Sequence, residues 1–306
     1  MEIIDFNGEK LYKWTVGAST FIANPRRGAR LMNWFLTLAD GSQRDVIYWP
    51  ENADFSGDFA SIRGGNPILF PFCGRSHVEG GAGKWKTPEG RILNMPQHGY
   101  ARQGEFEVVD CTDFALVAKF KPSEECKTNY PYDYDFTVTY RFNEFSLLCG
   151  LSLSNNSDIK IPWSAGHHFY FKMPWHDGAS RKNYRILCDA KKAFRLDGRG
   201  ALQTAEANFP ADFSDPDLWN RISCKLKTNI VKFGPKSGEE DVTIRVGESE
   251  RPDAWTSVVT WTESDESPFY CVEPWMGAPN CAEHGGGLNF VSPHSTQSFA
   301  VDISVF

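Results

Sequence analysis

The sequence predicts an all-β protein, a large antiparallel β-sandwich with few short helices. Three observations carry that reading. Along Tyr134–Phe142, Tyr134, Phe136, Val138, Tyr140 and Phe142 alternate with Asp135, Thr137, Thr139 and Arg141, the period-two pattern of a half-buried strand. Strand-like runs bounded by turn residues recur along most of the chain. Helix-period segments are short and few.

In chain order, residues 106–109 and 114–120 flank Cys111-Thr112-Asp113 and read as a hairpin. Asn143-Glu144 turns the alternating strand into Ser146–Asn155, so residues 132–155 read as a second hairpin. Further strands are expected at 185–188, 230–233, 241–246, 257–262, 269–272 and 297–305. The best helical segment is 215–226, with Asp215 or Asp217 as its cap and Pro216 in its first turn. Gly80-Gly81-Ala82-Gly83 and Gly285-Gly286-Gly287 read as loops. Neither has a G-x-G-x-x-G form or a Walker-type lysine, which argues against a phosphate cradle. No repeat and no Pro/Ser-rich linker divides the chain, so residues 1–306 are expected to form a single domain.

Composition narrows the function. With 306 residues, 41% of them hydrophobic, the chain can bury a sizeable core. No apolar run approaches the roughly 20 residues of a membrane span. The start, MEIIDFNGEKLYKW, carries early acids and no long apolar stretch, unlike a secretory signal. Net charge is −7 with no dense basic patch, so neither nucleic acid nor a membrane is expected as a partner. Eight cysteines show no C-x-x-C spacing; buried reduced thiols and a cytoplasmic location are expected. Oligomeric state is not legible.

Three islands carry candidate chemistry. The first lies in residues 63–102, where apolar Ile68, Leu69, Phe70 and Phe72 precede a glycine-rich polar segment ending Gln97-His98-Gly99-Tyr100-Ala101-Arg102. A buried wall followed by an irregular polar segment is a common way to build a ligand site. The second is Pro162-Trp163-Ser164-Ala165-Gly166-His167-His168-Phe169-Tyr170-Phe171. Adjacent strand residues point to opposite faces, so His167 and His168 are not expected to share a cavity, and no metal site is expected from the pair. The third is Cys271-Val272-Glu273-Pro274-Trp275, where Glu273 closes an apolar run. Desolvation raises a carboxyl pKa toward neutrality, where a general base works best.

In this order, Arg63-Gly64-Gly65-Asn66-Pro67, Gln97-His98-Gly99-Tyr100-Ala101-Arg102, His168-Phe169-Tyr170-Phe171 and Val272-Glu273-Pro274-Trp275 resemble the aldose 1-epimerase (mutarotase) superfamily. Leu69-Phe70-Pro71-Phe72 and Gly74-Arg75 fit its hexose-6-phosphate 1-epimerase branch. The resemblance implies a galactose mutarotase-like supersandwich and an enzyme, an isomerase that interconverts α and β anomers of an aldose or aldose 6-phosphate. It implies no cofactor, since no electrons move. By matching positions, Glu273 is the general base on the anomeric hydroxyl, His168 the general acid for the ring oxygen, and His98 a polarising hydrogen-bond partner. Arg102 falls where a phosphate-binding arginine is expected, Arg63 resembles another and Arg75 is a third contributor; Asp217, with Asp215 as the alternative, falls where a sugar-binding aspartate is, and Trp275 beside the base. His167, at the neighbouring position, is the alternative to His168 as the acid. A catalytically silent carbohydrate-binding or regulatory protein is the alternative function on the same fold.

Overall fold

The computed structural model describes residues 1–176, 178–238 and 240–306. Antiparallel strands dominate it. Among the described residues the only α-helices are Glu124–Asn129 and Cys281–His284.

Two layers face each other. One runs in the order Val242–Val246, Thr296–Val305, Ser146–Asn155, Tyr134–Phe142, Ala115–Lys121, Glu105–Cys111. The other runs Ser257–Trp261, Phe269–Trp275, Phe169–Lys172, Gln43–Ile47, Arg30–Thr37, Ser19–Asn24, Glu9–Val16, Glu2–Phe6. The long strand Arg221–Pro235 joins them, pairing residues 230–233 with Val242–Val246 and residues 221–223 with Ser257–Trp261.

Patterning drives this arrangement. In Ser146–Asn155 every second residue is buried, so Leu147, Cys149, Leu151 and Leu153 enter the core. Burying each such leucine contributes roughly 1.5–3 kcal/mol. Aromatic rings stitch the layers together. Phe21 meets Phe142 with centroids 4.8 Å apart, and Trp14 meets Phe142 at 4.5 Å.

Both expected hairpins form, the first with a bulge between Val108 and Asp110. The expected strand at 185–188 is part of a longer one, Tyr184–Leu196. The helix expected over 215–226 does not form. Asp215 does cap, accepting from the Asp217 N–H, and Pro216 does open a turn, but only the 3₁₀ turn Pro216–Leu218 results. From Arg221 the chain is strand, because Ile222, Cys224 and Leu226 alternate inward and both edges find partners. Tertiary pairing overrides a local helix start there. Gly81-Ala82, expected as loop, forms a two-residue strand against His77–Val78.

The decisive element for function is Phe269–Trp275, buried at all seven positions. Tyr270 and Val272 belong to the main core. Glu273 and Trp275, on the opposite face, line a cleft. Pro274 is carried inside the paired strand opposite Val258, so the strand does not end at Glu273.

Candidate active site

The cleft has a volume of about 730 Å³. His98, His168, Glu273 and Trp275 line it together with Arg63, Arg75 and Arg102. Three separate segments deliver these groups, and each is fixed by its own local structure.

His98 is held by a reciprocal clamp. Its N–H donates to the Gly74 carbonyl at 2.7 Å, and the Gly74 N–H donates to its Nδ1 at 3.1 Å. A backbone N–H only donates, so Nδ1 is an acceptor and the neutral ring carries its proton on Nε2. Burial pushes the His98 pKa down to about 3, helped by Arg102, Arg63 and Arg75. His98 is therefore a neutral hydrogen-bond donor at physiological pH.

The clamp depends on Gly99. Its φ is +72°, and a Cβ there would lie 1.9 Å from the Phe70 carbonyl oxygen. Only glycine fits a positive φ with that close an approach. Gly99→Ala is expected to cost about 1–3 kcal/mol, read as a lower urea midpoint, and to loosen His98.

Asn66 separates the two adjacent histidines. Its Oδ1 accepts from the His168 N–H at 3.1 Å, and its Nδ2 lies 3.0 Å from His167 Nδ1. The His167 ring points into the core, stacked on Phe169 and facing Phe299. The His168 ring faces the cleft and stacks on Tyr170, with centroids 4.8 Å apart and planes 11° from parallel. Strand alternation thus sends the two neighbours to opposite faces, and of the two only His168 reaches the cleft.

His168 Nε2 lies 3.4 Å from Glu273 Oε2, and the Glu273 side chain is 2% exposed. Burial holds the Glu273 carboxyl well above its usual range. It pushes the His168 imidazole well below its own, with His98, Arg30 and Arg102 adding to the effect. Both shifts favour the uncharged pair, a protonated carboxyl beside a neutral ring. Glu273 Oε2, His168 Nδ1, Trp275 Nε1 and Arg102 Nε are buried without a hydrogen-bond partner in the protein. Unpaired buried polar groups are costly, and four of them around one cleft mark a surface built for a polar ligand.

The arginines differ in their surroundings. Arg63 lies over the Trp261 ring at 5.3 Å and pairs with Glu263 at 3.2 Å. Arg75 donates to Gln97 Oε1 at 3.2 Å. Arg102 is partly buried, and burial lowers its pKa while Asp58 opposes that shift. Beneath them Arg30 is fully buried and donates to the carbonyls of Phe59, Ile62 and Gly64.

Asp217 requires a correction. It lies outside the cleft lining, 71% exposed, with Oδ1 3.3 Å from Arg195. Asp215 caps this turn by accepting from the Asp217 N–H, and it too lies outside the cleft lining. The aspartates on the cleft wall are Asp58 and Asp197. Sequence reasoning missed these two, and also Arg195 and Asn220, which line the same cleft. Their positions follow from how distant strands come together, and no local motif marks them.

Comparison with known proteins identifies the family and the fold. The aldose 1-epimerase family profile matches residues 10–221. The chromosomal LacX protein of Lactococcus lactis subsp. lactis is 25% identical over 283 residues, covering 86% of this chain and 85% of the relative. A galactose mutarotase-like protein from Clostridium acetobutylicum superposes with a TM-score of 0.80 at 16% identity, covering 100% of this chain and 98% of that one. A galactose mutarotase related enzyme from Lactobacillus acidophilus gives 0.77 at 20% identity, covering 97% of each chain. The two structures share the fold, and the profile spans most of the sequence: the chain belongs to the aldose 1-epimerase family.

Proposed function

We propose that this protein interconverts the α and β anomers of an aldose or aldose 6-phosphate by acid–base ring opening and closure. The observation that carries the reading is the buried Glu273–His168 pair, 3.4 Å apart and facing one cleft. Ring opening removes the proton from the anomeric hydroxyl and delivers one to the ring oxygen. The Glu273 carboxylate takes the first; the protonated His168 imidazole supplies the second. The C1–C2 bond of the open aldehyde then rotates, and closure runs the transfers backward on the other face.

Proton bookkeeping supports the pairing. Before opening, the pair is carboxylate and imidazolium; afterwards it is carboxyl and neutral imidazole. Both states hold one proton. Burial favours the uncharged state, so the reactive ion pair is the minor form of the resting site, and ring opening returns the free energy that forming it costs. The pair titrates as a unit. The expected pH–rate profile is bell-shaped, falling when the pair gains a second proton or loses its only one.

His98, neutral with its proton on Nε2, donates to a ring oxygen or hydroxyl. Trp275 offers an indole N–H and an apolar face. Residues 1–306 act as one domain, since a hydrogen-bonded sheet system links strands from Glu2–Phe6 to Thr296–Val305. No helix in the described residues is long and apolar enough to cross a membrane. All eight cysteines are free, which suits a reducing cytoplasm.

Polarimetry or saturation-transfer NMR on freshly dissolved α-glucose, α-galactose and glucose 6-phosphate tests the reading. Exchange no faster than in buffer for every sugar removes it. Arg102→Ala separates the substrates. A guanidinium binds two phosphate oxygens through its planar fork. The variant is therefore expected to raise KM for the phosphorylated sugar by at least about tenfold, a loss of roughly 1.4 kcal/mol, while KM for the free sugar moves far less. Equal effects on both sugars rule out a phosphate role for Arg102.

A further inference from the structure

Cys271 has no part in the proton transfers above, yet its thiol sits beside the two groups that make them. Cys271 and Glu273 are two residues apart on Phe269–Trp275 and share a face of that strand. Phe169 pairs with Val272, so the same antiparallel register carries His168 across from Glu273. One ligand-type atom from each of His168, Cys271 and Glu273 lies within 4.8 Å of the other two, and all three residues are buried. Glu273 Oε2 has no hydrogen-bond partner in the protein.

These distances suit a small tetrahedral cation. Zinc holds nitrogen, oxygen and sulfur ligands at about 2.0–2.3 Å, which sets the ligand atoms roughly 3.3–3.8 Å from one another. The 3.4 Å between His168 Nε2 and Glu273 Oε2 already meets this. Against the 4.8 Å limit, the remaining ligand has to close by at most about 1.5 Å, within reach of a side-chain rotation. The donors stand on paired strands, so the backbone geometry is preset. Thiolate, imidazole and carboxylate together select a borderline-soft ion; magnesium prefers an all-oxygen octahedron. Three protein ligands leave the fourth position to water.

We propose that His168, Cys271 and Glu273 form a zinc-binding site at the floor of the cleft, where Zn²⁺ competes with the sugar. The binding half stands on geometry alone; the inhibitory half rests on the function proposed above. No electrons move. The Cys271 S–H bond breaks as the S–Zn bond forms, and its proton passes to solvent, as does the proton held by the Glu273–His168 pair. Affinity therefore rises with pH. Inhibition follows because the metal takes the lone pairs of the base and of the acid.

The test uses the full-length protein, freed of metal by a chelator, in equilibrium dialysis against ZnCl₂. Co²⁺ serves as a spectroscopic stand-in, read by its thiolate-to-cobalt charge-transfer absorption. One equivalent of zinc is expected to bind and magnesium is not. Cys271→Ser and His168→Asn, each checked for folding by circular dichroism, are expected to weaken zinc binding at least about tenfold. The charge-transfer band is lost in Cys271→Ser, with Cys271→Ala as the alternative if serine does not fold. Added zinc is expected to slow anomer exchange in the wild type and EDTA to restore it, whereas exchange by Cys271→Ser no longer responds to zinc. Zinc binding that persists unchanged in Cys271→Ser or His168→Asn overturns the site. Zinc binding with the full signature in a protein that never catalyses anomer exchange preserves the site and removes the function reading instead.

Discussion

Glu273→Gln is expected to lower the rate of anomer exchange by about 10²–10⁴-fold with the fold intact. The amide has nearly the same shape as the carboxyl but cannot accept the anomeric proton. Almost no water reaches this side chain, so solvent cannot easily replace the lost base. Saturation transfer between the two anomeric protons measures the effect directly. A variant that stays within twofold of wild type removes Glu273 from the mechanism. The same substitution has a second, independent signature. Burial raises the folded-state pKa of Glu273 above its usual 4.5, so the folded protein holds that proton more tightly than the unfolded chain. The group's stability contribution is fully present below 4.5 and is lost as pH climbs through the raised folded value. Glutamine does not titrate. The thermal midpoint of Glu273→Gln is therefore expected to fall less than that of wild type between about pH 5 and pH 8.

His168→Asn is expected to cost a similar factor, about 10²–10⁴ in rate, because no group then delivers a proton to the ring oxygen. Its linkage runs the other way. Burial lowers the folded-state pKa below the usual 6.5, so the contribution is present above 6.5 and is lost as pH falls through the lowered value. Asparagine removes that acid sensitivity. His167→Asn is the control. Its ring packs between Phe169 and Phe299 away from the cleft, so it is expected to lower the melting temperature and to leave the acid–base step in place. If His167→Asn abolishes exchange and His168→Asn does not, the assignment of the acid is reversed.

Much of this was legible in the sequence because it is written in short-range pattern. Period-two alternation gave the strands around Tyr134–Phe142 and Ser146–Asn155, and the opposite-face rule anticipated that His167 and His168 would part company. The four family motifs pointed to Glu273, His168, His98 and Arg102 before any distance was known, and all four line one cleft. Other features escaped for physical reasons. Asp215-Pro216-Asp217 carries a sound helix start, yet Ile222 pairs with Phe194 on one side and Val259 on the other, both far beyond any local window. Asp58, Asp197 and Arg195 reach the cleft through the packing of remote strands. Asp217 and Asp215 both looked suitable as the mid-chain acid, and neither lines the cleft.

The strand Phe269–Trp275 serves the core with one set of alternate residues and the ligand with the other. Its length is consequently constrained as strictly as its composition. Deleting a single residue ahead of Val272 shifts the frame by one, placing valine over the hollow and driving a carboxylate into hydrocarbon. Substitutions along this segment are separable experiments, whereas insertions and deletions destroy the wall and the chemistry in the same stroke.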